Sequence, residues 1–271
     1  MTLHDIFQQQ LPIIAPLVLR PLPGSPRYGG SLDAVIERAL TDLTALEAGG
    51  VDGITLENLG DAPFFMSEAP PETVASFAAV MAEVRRASAL PCGVNVLRNC
   101  SRAALALAHA FGGHFIRVNV LTEAYVTDQG IIEGSATELM RVRRLIGADD
   151  IAVFADVQVK HAAPLLVRSI TEAALDAVER GLADVLIVSG TRTGRPASAD
   201  DVLRVRAVGP TLIGSGLTPD NAPDLLPRAD GAIVGTYFHV DGIIENPVDP
   251  GRVDRFMSVV RRLRQTSTTH A

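Results

Sequence analysis

The sequence predicts a single parallel (β/α)8 barrel, also called a TIM barrel, and three observations predict it. Short Val/Ile/Leu runs alternate with longer Ala/Leu/Arg/Glu stretches of helical period along the chain. The short runs are apolar on both faces, as a parallel sheet covered by helices requires. Near the end, Thr211–Thr236 reads as strand, glycine-rich turn, short helix and second strand, with glycine at both strand exits. Such a pair of turns is how a barrel of this kind builds a phosphate site after its last two strands.

The elements follow in order. Ile13–Leu19 is the first strand, followed by the loop RPLPGSPRYGGS, too rich in Pro and Gly for a helix. Helix Leu32–Glu47 starts near Ser31 and Asp33 and ends before Gly49-Gly50. Gly53–Leu56 is the second strand, and helix Thr73–Ala87 lies beyond its loop. Cys92–Leu97 and Phe115–Val120 are the third and fourth strands, with helix Ser101–Ala110 between them. TEAYVTDQGIIEGS is a long polar loop before helix Ala136–Leu145. Ile151–Val157, helix Ala173–Arg180, strand Asp184–Val188 and helix Ala199–Val208 lead to the last two strands. There Thr218 is the expected N-cap of a short helix and Pro219 its first residue. Gly251–Arg264 closes the chain as a helix, giving eight strands and eight helices in strict alternation. The 271 residues fit one large barrel or two ordinary domains, and no linker divides them. A doubly wound open sheet is the alternative, but its GxGxxG after the first strand is absent.

Composition narrows the function. A hydrophobic content of 47% supplies a core, and no apolar run reaches the length of a membrane span. The N-terminus lacks a secretory pattern, and two cysteines, Cys92 and Cys100, fit a reduced, cytoplasmic setting. A net charge of −7 argues against a nucleic-acid partner. Lysine is nearly absent and arginine carries most of the positive charge, a common mark of a GC-rich genome.

In such a barrel the chemistry belongs to the C-terminal strand ends. Glu57, Asn58 and Asp61 follow the second strand; Asn95, Arg98 and Asn99 end the third. Arg117, Asn119 and the loop residue Asp128 belong to the fourth, Asp156, Gln158, Lys160 and His161 to the fifth, and Ser189, Gly190, Thr191 and Arg192 to the sixth. Asn95, Arg117 and Asn119 interrupt apolar strands, so they point into the barrel mouth or form a buried polar network bracing it. Asp156 and Lys160 form the sharpest pair. Lys160 suits acid/base work, a Schiff base or a phosphate contact, against a plain salt bridge to Asp156 or Glu57. His161 has a pKa suited to proton transfer. The sequence requires no cofactor; Glu57 and Asp156 could hold Mg²⁺ with waters, whereas no cluster has zinc spacing. The expected phosphate cradle is Gly214, Ser215, Gly216, Gly235 and Thr236, helped by Ser189 and Gly190, against two ordinary tight turns that bind nothing.

At these segments the chain resembles the BtpA/SgcQ family of barrels. The matching stretches include LRPLPGSPRYGG, GGVDGITLENLGDAPF, GVNVLRN, IRVNVLTEAYVTDQGIIEG, FADVQVKHA, VSGTRTG, GSGLTPDN and DGIIENPVDPGRVDRFM, essentially the whole chain. The family commonly carries a His where this chain has Val18. The resemblance implies a barrel and leaves two functions open. The family is named for a cyanobacterial peripheral membrane factor needed for stable photosystem I, while other members look like sugar-utilisation proteins. A nucleoside triphosphatase reading has no GxxxxGK[ST] loop to support it.

Two expectations therefore stand. One is an enzyme acting on a phosphorylated sugar or ribosyl compound, with Asp156, Lys160 and Glu57 as acid/base groups and Asn95, Arg98, Arg117, Asn119, Asp128 and Arg192 around the substrate. Isomerisation, lyase chemistry and glycosyl transfer all fit. The other is a non-catalytic assembly factor using the barrel as a scaffold. A homo-oligomer suits either.

Overall fold

The structure, a computed structural model, describes residues 2–268. Eight parallel strands close into a barrel: β1 (Ile13–Val18), β2 (Gly53–Glu57), β3 (Cys92–Asn95), β4 (Phe115–Val118), β7 (Ala152–Val157), β9 (Val185–Val188), β10 (Thr211–Ile213) and β11 (Gly231–Ile233). Pairing of β1 with β11, Ile13 against Ala232 and Ile14 against Ile233, completes the ring and rules out the open sheet.

The outer layer is helical. Helix α2 (Leu32–Gly49) begins where the Ser31 hydroxyl accepts the Ala34 N–H, and it ends at Gly50, whose φ of +84° suits glycine. Around the ring follow α3 (Pro71–Ala87), α4 (Ser101–Ala110), α5 (Ala136–Leu145), α6 (Ile170–Leu175), which runs into a wider turn over Asp176–Arg180, and α7 (Ala199–Arg206). Helix α9 (Pro250–Thr268) packs against α2; a Cβ at Gly49 would lie 2.1 Å from the Val253 side chain. No helix among the described residues is long and apolar enough to cross a membrane.

Inside the barrel, the lower half is apolar. Phe115 and Phe154 stack with centroids 4.3 Å apart, and Phe7 tilts against Phe115 at 5.9 Å. Glycines on the flanking strands make room for these rings: a Cβ at Gly93 would sit 2.1 Å from Phe115, and one at Gly53 would sit 2.6 Å from Phe7. Phe7 comes from α1 (Leu3–Phe7), a short helix that the sequence reading did not place.

Three other expectations are corrected. The polar loop after β4 contains a hairpin, β5 (Ala124–Thr127) and β6 (Gly130–Glu133), extended by β8 (Ala162–Pro164) into a small antiparallel sheet. Its turn, Asp128-Gln129, closes on Gly130 at φ +111°. The driving force is period-two burial, since Tyr125 and Ile132 pack on Val120 and Val159 while their neighbours face out. Second, the short helix expected from Pro219 starts later: α8 (Ala222–Leu225) and a 3-10 turn over Leu226–Arg228 lie between β10 and β11. Third, Thr218 does not cap that helix: its N–H donates to the Asn221 side chain at 2.8 Å, and Asn221 donates on to the Gly216 carbonyl at 2.9 Å.

Candidate active site

Side-chain alternation sets the site. On β4, Phe115 points into the barrel, so Arg117 two residues on does the same one layer higher. Its Nη2 and Nε donate to the two oxygens of Asp156 on β7 at 3.0 and 3.1 Å, and its Nη1 to Glu57 on β2 at 3.4 Å. Asn119 adds a 2.7 Å bond to Asp156 Oδ2. All four residues are buried. Burial alone works against the Arg117 charge, but Asp156 and then Glu57 outweigh it and hold the guanidinium protonated above its ordinary value. The network braces the barrel, and Arg117, Asn119 and Glu57 also line the cavity above it, so both readings of these residues hold. Asp156 itself lies beneath that cavity, with both oxygens engaged.

The cavity at the mouth has a volume of about 720 Å³. Asn95, Arg98, Asp128, Lys160, His161 and Arg192 line it, as do Gly214, Ser215, Gly216, Gly235 and Thr236. Asn95 is buried, yet its amide makes no hydrogen bond among the described residues and faces this space. The Arg98 Nη2 donates to the Lys160 carbonyl at 2.5 Å, and its Nε is buried without a partner among the described residues. Burial pulls the Arg98 pKa down, partly opposed by Asp156. Asp128 and Arg192 are exposed at the rim.

Lys160 forms no ion pair with any described residue; the two carboxylates expected to hold it both pair with Arg117. Burial first, and then the Arg117 charge, lower its pKa to about 8. The His161 pKa is also lowered, by burial, Arg98 and Lys160 in that order. The Thr193 N–H donates to its Nε2 at 3.3 Å, which places the proton of the neutral ring on Nδ1. Among the described residues no group of three or more His, Cys, Asp or Glu side chains is arranged to hold a metal. Glu57 and Asp156, the pair considered for Mg²⁺, flank a guanidinium instead.

The glycines of the last turns have a packing reason. A Cβ at Gly214 would lie 2.4 Å from the Ser189 hydroxyl, and one at Gly216, where φ is +75°, would lie 2.2 Å from the Pro196 nitrogen. A Cβ at Gly190 would meet the Arg195 carbonyl at 2.4 Å. Thus Ser189 and Gly190 support the turn from behind and do not line the mouth. In front, a recess of about 210 Å³ is bounded by Gly216, Leu217, Gly235, Thr236 and Tyr237. The N–H groups of Gly216, Leu217 and Gly235 have no acceptor among the described residues.

Some strand-end residues are loop clasps. Asn58 accepts the Leu97 N–H at 2.8 Å and donates to Asp61 at 2.9 Å, while Asp61 accepts the Leu22 N–H at 2.7 Å. Asn99 exchanges two 2.9 Å bonds with the backbone of Val120. Conversely, Arg27, Glu245 and Arg252 border the mouth or its recess without having been singled out. Arg252 lies 4.5 Å over the Tyr237 ring and donates to the Tyr237 carbonyl at 2.5 Å. They come from loops and a helix start far from the strand ends in sequence, and no local signal marks them.

A parallel barrel with a charged cavity at its C-terminal end defines the class. The chain belongs to the BtpA family, whose model matches residues 9–262. It is 46% identical over 263 residues to the Photosystem I biogenesis protein BtpA of Synechocystis, covering 96% of this chain and 91% of that protein. An uncharacterized protein of Pyrococcus furiosus is 48% identical over 248 residues, 91% of this chain and 93% of the other. In fold the chain is similar to N-(5'-phosphoribosyl)anthranilate isomerase of P. furiosus, with a TM-score of 0.58 at 13% identity over 93% of this chain and 99% of that one.

Proposed function

We propose that this protein is an enzyme acting on a phosphorylated sugar or ribosyl-phosphate compound by acid/base chemistry at the mouth of the barrel. One observation carries the reading. The charged mouth and the amide-bordered recess share Gly194, Gly216, Gly235 and Thr236, so a phosphate in the recess leaves the rest of a small substrate over Lys160 and Asn95. Unpartnered N–H groups and the Arg252 guanidinium favour an anion there. A fold neighbour named for a phosphoribosyl substrate agrees with it. In this scheme Asn95 and Arg98 orient hydroxyls, Lys160 and His161 move protons, and Asp156 and Glu57 position Arg117 to stabilise negative charge developing above it.

Thermal denaturation against inorganic phosphate, ribose 5-phosphate and a panel of phosphosugars tests this. A ligand at about 100 times its Kd adds roughly 2.7 kcal/mol of stability. The shift should shrink in Arg252→Gln. No shift with any phosphorylated compound removes the reading.

A scaffold role is the second reading, favoured by one observation. The outer face of the small sheet and its flank expose Val126, Ile131, Leu165, Leu166 and Val167, an apolar patch beside the mouth. Retained function in cells carrying Lys160→Met, but not in cells with a charge placed at Val167, would favour this second role.

A further inference from the structure

Lys160 is the only lysine in the chain; the remaining 23 of its 24 Lys and Arg residues are arginine. Wherever a positive charge alone is needed, on exposed helices, in the Arg117 network or at the mouth, this sequence uses arginine. A guanidinium cannot give up its proton in a protein, so it offers no lone pair; an ammonium can. The single lysine is partly buried, lines the mouth cavity and forms no ion pair with any described residue. A phosphate contact at that point would be served as well by arginine. General-base work alone is available to His161, the next residue. What only a lysine side chain supplies is a primary amine that forms a carbon–nitrogen double bond.

We propose that the Lys160 amine is a covalent nucleophile toward an aldehyde or ketone, so that the substrate is a carbonyl compound. This rests on the reading of the mouth as an active site and deepens it. The neutral amine attacks the carbonyl carbon, forming the C–N bond, and the π pair moves to oxygen, which takes a proton. The resulting hydroxyl leaves as water while the nitrogen pair forms the C=N bond, giving a protonated iminium. Overall one ammonium and one carbonyl become one iminium and one water. The iminium then accepts the electron pair released when a C–H or C–C bond at the adjacent carbon breaks, and His161 takes the proton from that carbon or from the hydroxyl of the departing fragment. A proton returned to the enamine carbon restores the iminium, and water adds to it to release the carbonyl product and the free amine. The surroundings suit the first step. Partial burial and the guanidinium charges of Arg98 and Arg117 disfavour the ammonium form, while Asp156 and Glu57, which would favour it, are turned to Arg117.

The lone lysine makes the test clean. The full chain is incubated with glyceraldehyde 3-phosphate, or with glyceraldehyde, and sodium cyanoborohydride at pH 7.5. Intact mass and peptide mapping then separate a Lys160 adduct from one at the N-terminus. The expected result is one reduced adduct on Lys160, formed on the order of 10-fold or more faster than on Nα-acetyl-lysine, because a larger share of the amine is neutral. Lys160→Arg should fold, by its far-ultraviolet dichroism, and take no adduct at that position; His161→Asn should keep it. A phosphate preference, measured against free lysine for each aldehyde, supports both the amine and the phosphate recess. Equal enhancement with both aldehydes supports the amine and counts against the recess. A Lys160 rate no greater than that of Nα-acetyl-lysine with either aldehyde overturns the proposal.

Discussion

On β4, Phe115 and Arg117 are two residues apart and point into the same barrel. The first stacks on Phe154 at 4.3 Å in an apolar lower half; the second is clamped between Asp156 and Glu57 in a charged upper half. β7 repeats the switch from Phe154 to Asp156. The lower half gains stability from shape, with Gly53 and Gly93 hollowed to fit the rings. The upper half takes charges out of water, which a well-packed apolar layer would avoid. A barrel closed by aromatic packing below can carry a costly polar mouth above, and that division of labour is what the two layers teach.

The largest effect expected from breaking the contrast is at Arg117. Arg117→Leu makes the upper layer resemble the lower one but leaves two buried carboxylates unpaired, which costs about 3–5 kcal/mol. Urea denaturation should show that loss; a change under about 1 kcal/mol would mean that the mouth is open enough to hydrate both carboxylates. Gly93→Ala tests the lower layer, where the new Cβ is driven against Phe115 and overpacking costs roughly 1–3 kcal/mol. Adding Phe115→Leu should recover part of that loss, a non-additivity that contact between the two sites requires.

A smaller change of opposite sign is expected at Lys160. Its pKa is about 8 in the fold against 10.5 ordinarily, so between those values the unfolded chain binds more protons. Stability therefore rises with pH across that window, and the cost of burying the ammonium is fully present below it. Lys160→Met should stabilise the protein by on the order of 1 kcal/mol at pH 7, with a difference that fades by about pH 10.5. Denaturation at both pH values checks the sign. A destabilised variant would show a favourable partner for the amine.

Much of the barrel was legible because its elements are local in their cause. The strand at Ile13–Val18 and the helix at Leu32–Gly49 carry their own periodicity and capping signals. The hairpin was missed: Tyr125 and Ile132 do alternate with outward residues on either side of a turn closed by Gly130, but its polar and charged residues made the whole stretch read as loop. The short helix after β10 was legible, but its start was not, because Asn221 is spent on tying the turn at Gly216 and the helix begins only at Ala222. In the site, inward alternation placed Asn95, Arg117 and Asn119 at the mouth. Which partner each takes depends on strands far apart in sequence: Glu57 is 60 residues from Arg117, and Asp156 is 39.

The sequence by itself determined the succession of strands and helices, the inward direction of the polar strand residues and the rarity of lysine, because these follow from spacing and composition. Only the tertiary structure decided that Arg117 takes both carboxylates, that Lys160 has no counter-ion among the described residues and that Asp156 lies under the cavity rather than in it. Ion pairing depends on distances across the closed barrel, and closure is what brings β2, β4 and β7 around one axis.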